Sequence, residues 1–228
     1  MSFIVIEGLD GAGKSTQIKL LTNYLKQKGI GVESLHFPRT DSPFFGELVA
    51  RFLRGELGAL NEVDPYVVAL LYAGDRKDAS TLLKSWLNSN RTILLDRYVY
   101  SNIAFQCAKL PEQSQQKKLR DWIYELEFNY FGIPKPDLNI FLDVPFDFTV
   151  SRLTKQRDGN DREYLNGSSD IHEDDLSFQE KVRRVYLNQV DYDSNFVVVP
   201  CSNKTGGMGE QQEIFNKIIP IINERLSI

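Results

Sequence analysis

The chain has 228 residues, 42% hydrophobic and 25% charged, which is enough to bury a full core and is most economically one soluble domain spanning residues 1–228. A formal net charge of −4 argues against a general nucleic-acid binder, because neutralising a phosphate backbone takes a basic surface, so any anion handled here must meet a local cluster of cations. The two cysteines, Cys107 and Cys201, form no C-x-x-C pair, which speaks against a disulfide scaffold or zinc site and fits a reducing cytoplasm, and no apolar run approaches the roughly 18 residues of a membrane span.

The first predicted element is the strand FIVIEG, residues 3–8. Four more short, β-rich runs follow: VESLHF (32–37), TILLDR (92–97), LNIFLDV (138–144) and FVVVPCS (196–202). Continuous apolar runs of this length suit strands buried on both faces of a parallel sheet. Between the first two, STQIKLLTNYLKQKG sets Ile18, Leu21 and Leu25 at helical spacing before Lys28 and Gly29 close the segment, which makes a β-α-β unit. Helical patterns recur around residues 44–54, 65–88, 113–131, 146–156, 175–193 and 209–226. The expected architecture is a three-layer α/β domain with a five-stranded parallel sheet and right-handed crossovers. Residues 155–175, KQRDGNDREYLNGSSDIHEDD, have no apolar periodicity and mix both charge signs, and read either as a solvated surface loop or as a lid over a site. The two histidines read as ordinary, His36 ending a strand and His172 lying in an acidic surface run.

Directly after the first strand, Gly8, Gly13, Lys14 and Ser15 satisfy G-x-x-x-x-G-K-[ST] and precede a helix, the context that gives this motif its meaning. Along Gly8, Leu9, Asp10, Gly11, Ala12, Gly13, Lys14, Ser15 and Thr16, backbone N–H groups converge on phosphate oxygens with little side chain in the way. The helix that follows adds its positive end. In such a P-loop Lys14 reaches the β and γ phosphates of a nucleoside triphosphate and Ser15 holds magnesium. The guanine signature N-K-x-D is missing, since Asn203-Lys204-Thr205-Gly206 lacks the aspartate. After TILLD comes Arg97, a poor activator of water and a good ligand for phosphate. A second, phosphorylated substrate is therefore a better inference than a motor-type ATPase. With Arg39 after the second strand and Arg76 in the helix at 65–88, Arg97 completes a candidate clamp for a nucleoside monophosphate.

The stretches EGLDGAGKST, FPR, YAGDR, DRYVYSNIAFQ and KPDLNIFLDV, in this order and spacing, resemble the thymidylate kinase family, P-loop enzymes that phosphorylate dTMP with ATP. The resemblance implies the P-loop NTPase fold with a lid, ATP as donor, magnesium, a homodimer, and a role in dTTP biosynthesis. It also implies residue roles. Asp10 accepts a hydrogen bond from the sugar 3′-hydroxyl, Tyr72 stacks on thymine, and Arg76 and Asn102 read the base edge, with Ser101 a weaker base contact. Arg39 and Arg97 grip the acceptor phosphate, Phe105 crowds the 2′ side of the sugar, and Asp96 stands near magnesium and the phosphates. Tyr164 belongs to a stretch that resembles the family's lid.

An acceptor monophosphate already carries a nucleophilic oxyanion, so the chemistry needs little general-base help and many cations to bring two anions into line. Lys14, Arg97 and the segment's Arg157 and Arg162 are the candidates. The chain departs from its relatives in two places: FPRTDSPFFG lacks the glutamate-proline-glycine-glycine of many bacterial members, and Gly11 stands where one branch has arginine. Two alternatives remain at this stage. One is a deoxynucleoside kinase acting on a 5′-hydroxyl, the other a non-catalytic nucleotide-binding domain.

Overall fold

The computed structural model describes residues 2–153, 165, 170–172 and 175–226. The sheet has five parallel strands: β1 (Phe3–Gly8), β2 (Val32–His36), β3 (Thr92–Asp96), β4 (Leu138–Asp143) and β5 (Phe196–Pro200), in spatial order β2-β3-β1-β4-β5. All five fall where the apolar runs predict. Strand β1 is buried along its whole length because it lies at the centre of the sheet with both faces covered.

The parity of the strand side chains shows what covers each face. Phe3 and Val5 of β1, Ile93 and Leu95 of β3 and Phe141 of β4 enter one core cluster, while Ile4, Ile6, Leu94, Ile140 and Leu142 enter another. The second cluster is closed by helices α1 (Lys14–Gln27) and α8 (Gln211–Leu226) through Leu21, Leu25, Ile218 and Ile222. The first is closed by α3 (Pro65–Asn88), α4 (Val99–Cys107) and α7 (Leu176–Leu187), with α5 (Gln113–Tyr124) behind them. Each such side chain, fully buried, contributes about 1.5–3 kcal/mol. Helices α2 (Phe45–Leu53) and α6 (Phe146–Leu153) complete the set in chain order. Helix α2 packs on α3 because Gly74 leaves room for the Phe45 ring, where a Cβ would overlap it.

Local chemistry sets several boundaries. Asp64 caps α3 by accepting from Tyr66 N–H at 2.8 Å, with Pro65 in the first turn. Asp175 caps α7 by accepting from Phe178 N–H at 3.1 Å. The helix expected over 113–131 is α5 followed by a wider π-turn, Glu125–Tyr130, which carries Glu127 inward. The helix expected over 175–193 is α7 plus a 3-10 turn, Asn188–Asp191. Helix α4 has no counterpart in the sequence reading. All of its residues but Ser101 are buried, so it presents no polar face and no amphipathic period.

Candidate active site

The site lies at the carboxyl ends of β1, β3 and β4, where parallel strands hand their chains to helices. The turn after β1 takes left-handed φ values at Gly11 (74°) and Gly13 (82°), which glycine adopts without steric cost. A Cβ on Gly8 would stand 3.1 Å from Ala12 Cβ and 3.4 Å from Lys14 Cγ, so this backbone is packed too closely for a larger residue. Helix α1 starts with no side-chain cap and no acidic residue in its first turn, which leaves its positive end to an anion. Lys14 is 8% exposed and donates to the carbonyls of Leu9 at 3.2 Å and Gly8 at 3.5 Å. Burial and the Arg97 cation push its amine below the ordinary lysine range. Lys14 Nζ is 3.9 Å from Asp96 Oδ1, and His36 Nδ1 is 3.4 Å from Asp96 Oδ2. Burial works against the Asp96 carboxylate, but Lys14 and His36 outweigh it and hold its pKa below the usual value. Asp96 Oδ1 is buried with no hydrogen-bond partner. Ser15 and Asp96 open together onto a groove of about 510 Å³ between α1 and β2.

Arg97 is the hub of the next group. It takes φ 67°, a left-handed conformation uncommon for a long side chain, as the chain turns from β3 into α4. Its Nη2 donates to Asp10 Oδ1 at 2.7 Å and its Nη1 to Ser101 Oγ at 3.1 Å and the Tyr186 hydroxyl at 3.5 Å. Behind this lies Glu7, wholly buried, which accepts from Ser101 Oγ at 2.6 Å, the Tyr186 hydroxyl at 2.9 Å and Tyr98 N–H at 2.9 Å. Burial raises the Glu7 pKa against the opposing pull of Ser101, Arg97 and Tyr186. Burial likewise disfavours charged Arg97, but Asp10, Tyr186, Asp96 and Glu7 more than compensate and keep it cationic.

Farther from the P-loop, Arg76 is 2% exposed and makes a forked pair with Glu127, through Nε at 2.5 Å and Nη2 at 2.7 Å. Asn102 Nδ2 donates to Glu127 Oε1 at 3.0 Å and to Ala69 O at 3.0 Å. Both partners are acceptors, so the amide orientation is fixed and Oδ1 points away from them, buried and unpartnered. Tyr72 rests one side on the small cluster of Val49, Phe52, Leu53 and Val68 and keeps the other partly open. Phe105 has the Arg97 guanidinium 5.2 Å from its ring centroid. Arg39 is held by Asp75 (Nε to Oδ1, 2.9 Å) and Asp78 (Nη2 to Oδ2, 2.6 Å) on α3.

The arrangement thus combines a glycine-rich backbone turn, a cationic hub at Arg97 and, beyond them, a buried unpaired acceptor on Asn102. A family model for thymidylate kinase matches residues 6–211. The chain belongs to the thymidylate kinase family. Thymidylate kinase from Mycobacterium tuberculosis (strain CDC 1551 / Oshkosh) is 35% identical over 185 residues, covering 80% of this chain and 83% of that one. The probable thymidylate kinase of Thermococcus kodakarensis is 30% identical over 229 residues, 98% of each chain. A solved structure of thymidylate kinase from Candida albicans shares the fold, with a TM-score of 0.73 at 24% identity over 99% of this chain and 92% of that chain. Thymidylate kinases phosphorylate dTMP, with ATP as donor.

Within this thymidylate kinase framework, Lys14, Asp10, Asp96, Arg97, Ser101 and Phe105 form one connected group, Arg76 and Asn102 meet at Glu127, and Tyr72 packs on the small cluster beside α2. The Ser101 hydroxyl sits at the phosphate end, engaged with Glu7, Tyr186 and Arg97. Arg157, Arg162 and Tyr164 lie outside the described residues. Sequence reading missed Glu7, Tyr186 and Glu127, which are the anchors of its arginines. It also missed Arg183, whose Nε and Nη2 fork onto Asp143 at 2.6 and 2.9 Å at the carboxyl end of β4. His172 is not on an acidic surface. It is 6% exposed, packed among aromatic rings, and pushed down to about 3 by burial and then by the Lys109 cation.

Proposed function

We propose that the chain transfers the γ-phosphoryl group of ATP to dTMP, giving dTDP and ADP, through the residues assembled here. The observation that carries the acceptor's identity is the unpartnered Oδ1 of Asn102. Thymine offers N3–H as a donor between two carbonyl acceptors, and a buried acceptor fixed by Glu127 complements that donor. Arg76 has Nε and Nη2 tied to Glu127, which leaves Nη1 to meet a base carbonyl. Cytosine presents an acceptor at N3 and would leave Asn102 facing like to like. Tyr72 supplies the stacking face, and Phe105 crowds the 2′ carbon.

At the other end Arg97, with Arg39 in support, grips the acceptor phosphate, while Asp10 takes the 3′-hydroxyl. Lys14 and the P-loop amides hold the donor phosphates, so that the acceptor oxygen approaches in line. Magnesium suits the residues present, because Asp96 Oδ1 is a buried carboxylate oxygen without a hydrogen-bond partner and the Ser15 hydroxyl opens onto the same groove. Held by Ser15 and Asp96, the ion would offset charge on the β and γ phosphates. A homodimer is supported by Val67, Leu70 and Leu82, large apolar residues exposed along one side of α3. A cytoplasmic setting is supported by the buried free thiols of Cys107 and Cys201.

The test is purified protein with ATP and magnesium against thymidine, dTMP and dCMP, with ADP release and product identity measured. Turnover of dTMP is expected, with dCMP at least about tenfold poorer, the scale of one mismatched buried polar contact. Turnover of thymidine instead of dTMP would establish the deoxynucleoside kinase. No turnover of any acceptor would establish a binding domain.

A further inference from the structure

His172 packs on Phe105, whose ring centroid lies 5.2 Å from the Arg97 guanidinium. Its imidazole is walled by Phe105, Phe52 and Phe178, with ring centroids 4.8, 5.6 and 5.8 Å away. Its backbone is pinned on both sides, the N–H donating to Asp170 Oδ1 at 2.8 Å and the carbonyl accepting from Gln179 Nε2 at 2.8 Å. Its Nε2 is nevertheless buried and has no hydrogen-bond partner. A ring fixed so firmly with its polar edge unpaired is destabilising unless a ligand completes it.

A run of contacts joins the ring to residues assigned above to the acceptor. Asp10 lies on Arg97 at 2.7 Å, the Arg97 guanidinium lies 5.2 Å from the Phe105 centroid, and Phe105 lies on His172. With the acceptor phosphate at Arg97 and the base at Asn102, the sugar occupies the interval that Phe105 and His172 line. A deoxyribose carries a single free hydroxyl, at C3′. Its proton goes to Asp10, and its oxygen lone pairs remain to be satisfied. We infer that His172 Nε2–H donates to the 3′-oxygen of dTMP, so that Asp10 and His172 together test for a 3′-hydroxyl; this rests on dTMP being the acceptor. Burial first, and then Lys109 and Arg97, outweigh the opposite pull of Asp10 and disfavour a second proton on the ring, so His172 works as a neutral donor. Neither the motif nor the composition around His172 suggests this role.

The experiment compares dTMP with 3′-deoxythymidine monophosphate. In His172→Phe the ring still fills its aromatic pocket but the donor is gone. The preference for dTMP, as a ratio of kcat/KM values, should fall about five- to tenfold through slower use of dTMP alone. An unchanged ratio, with both nucleotides slowed equally or not at all, overturns the inference. A second measurement needs no variant. The chain has two histidines, so ¹⁵N labelling gives two imidazoles, and the His172 Nε2 resonance should move with dTMP and not with the 3′-deoxy nucleotide. The same movement with both, or with neither, also overturns it. If wild-type protein neither binds nor phosphorylates dTMP, the acceptor assignment fails; if dTMP is turned over normally and the ratio holds, only the role of His172 fails.

Discussion

Glu127→Leu separates the support of the base pocket from its chemistry. Arg76 and Glu127 are 2% and 0% exposed and share two short contacts, so removing the carboxylate leaves a guanidinium buried without a counter-charge. Breaking a buried pair from one side costs about 3–5 kcal/mol. Asn102 Nδ2 also loses one of its two acceptors, for about 1 kcal/mol more. Against a domain stability of about 5–15 kcal/mol this is about a quarter or more of the total. The double variant Arg76→Met/Glu127→Leu replaces the pair by apolar groups of similar size and should regain most of the loss, since such exchanges are near neutral. It should still bind dTMP poorly, because the Arg76 donor is gone and Asn102 is no longer held from below. Urea unfolding reads the stability as a midpoint shift at constant slope, and the Michaelis constants for dTMP and ATP read the pocket. A single variant within about 1 kcal/mol of wild type, or a double variant no more stable than the single, would refute the reasoning.

Two further outcomes follow from the same site. Arg97→Ala should lower dTMP turnover by orders of magnitude and leave ATP affinity, measured by calorimetry, nearly unchanged; Arg97→Lys should rescue poorly because it cannot serve Asp10 and a phosphate through one planar fork. Near-normal kinetics in Arg97→Ala would remove it from the acceptor site. Lys109 bears on pH. Burial pushes its ammonium from 10.5 down to about 7, so between these values the unfolded chain holds a proton that the folded chain has lost. Stability from this group therefore falls as pH drops from about 10.5 and levels off below about 7. Lys109→Met should remove that slope, converging with wild type at the alkaline end and exceeding it toward neutrality by on the order of a few kcal/mol. Parallel unfolding profiles across that range would show that the amine is not desolvated.

The strands were legible because burial on both faces writes itself as unbroken apolar runs. The phosphate cradle was legible because its φ values and close packing need glycine at fixed intervals. Helix α4 was not, since a helix buried nearly all round has no period to read. The same limit governs the site. Arg76 and Arg97 were visible as cations at strand ends or on a helix, but Glu7 looks like the last polar residue of a strand, and Glu127 like one acid in a mixed helix. Their partners are distant in sequence: Glu7 binds Tyr98, Ser101 and Tyr186, and Glu127 binds Arg76 and Asn102. His172 shows the converse. Its neighbours in sequence are acidic and suggest solvent, while its neighbours in space are three phenylalanines.

The remaining question is which cation meets the transferred phosphoryl group. Lys14 is the P-loop's one side-chain cation, and Arg97 already has Asp10 on one nitrogen and Ser101 on another. An arginine at position 11 would supply the charge locally. Here Gly11 has φ 74°, where an arginine would add strain of about 1–3 kcal/mol. Arg183 is near at hand, but both nitrogens of its fork are committed to Asp143, which leaves the arginines of the 155–175 segment as the proposed source. Single-turnover phosphoryl transfer should therefore fall in Arg157→Ala and Arg162→Ala, and most in the double variant. The loss approaches the roughly three to five decades known for a transition-state arginine, and is smaller if the pair is partly redundant. Arg183→Ala should stay within about tenfold of wild type, because its charge is already neutralised by a carboxylate. If the double variant keeps wild-type chemistry while Arg183→Ala loses it, the cation comes from α7 and not from the segment. Gly11→Arg gives the reciprocal check: it should restore part of the double variant's rate at a measurable cost in stability. A stability cost with no rate recovery would show that position 11 and the segment do not serve the same phosphate.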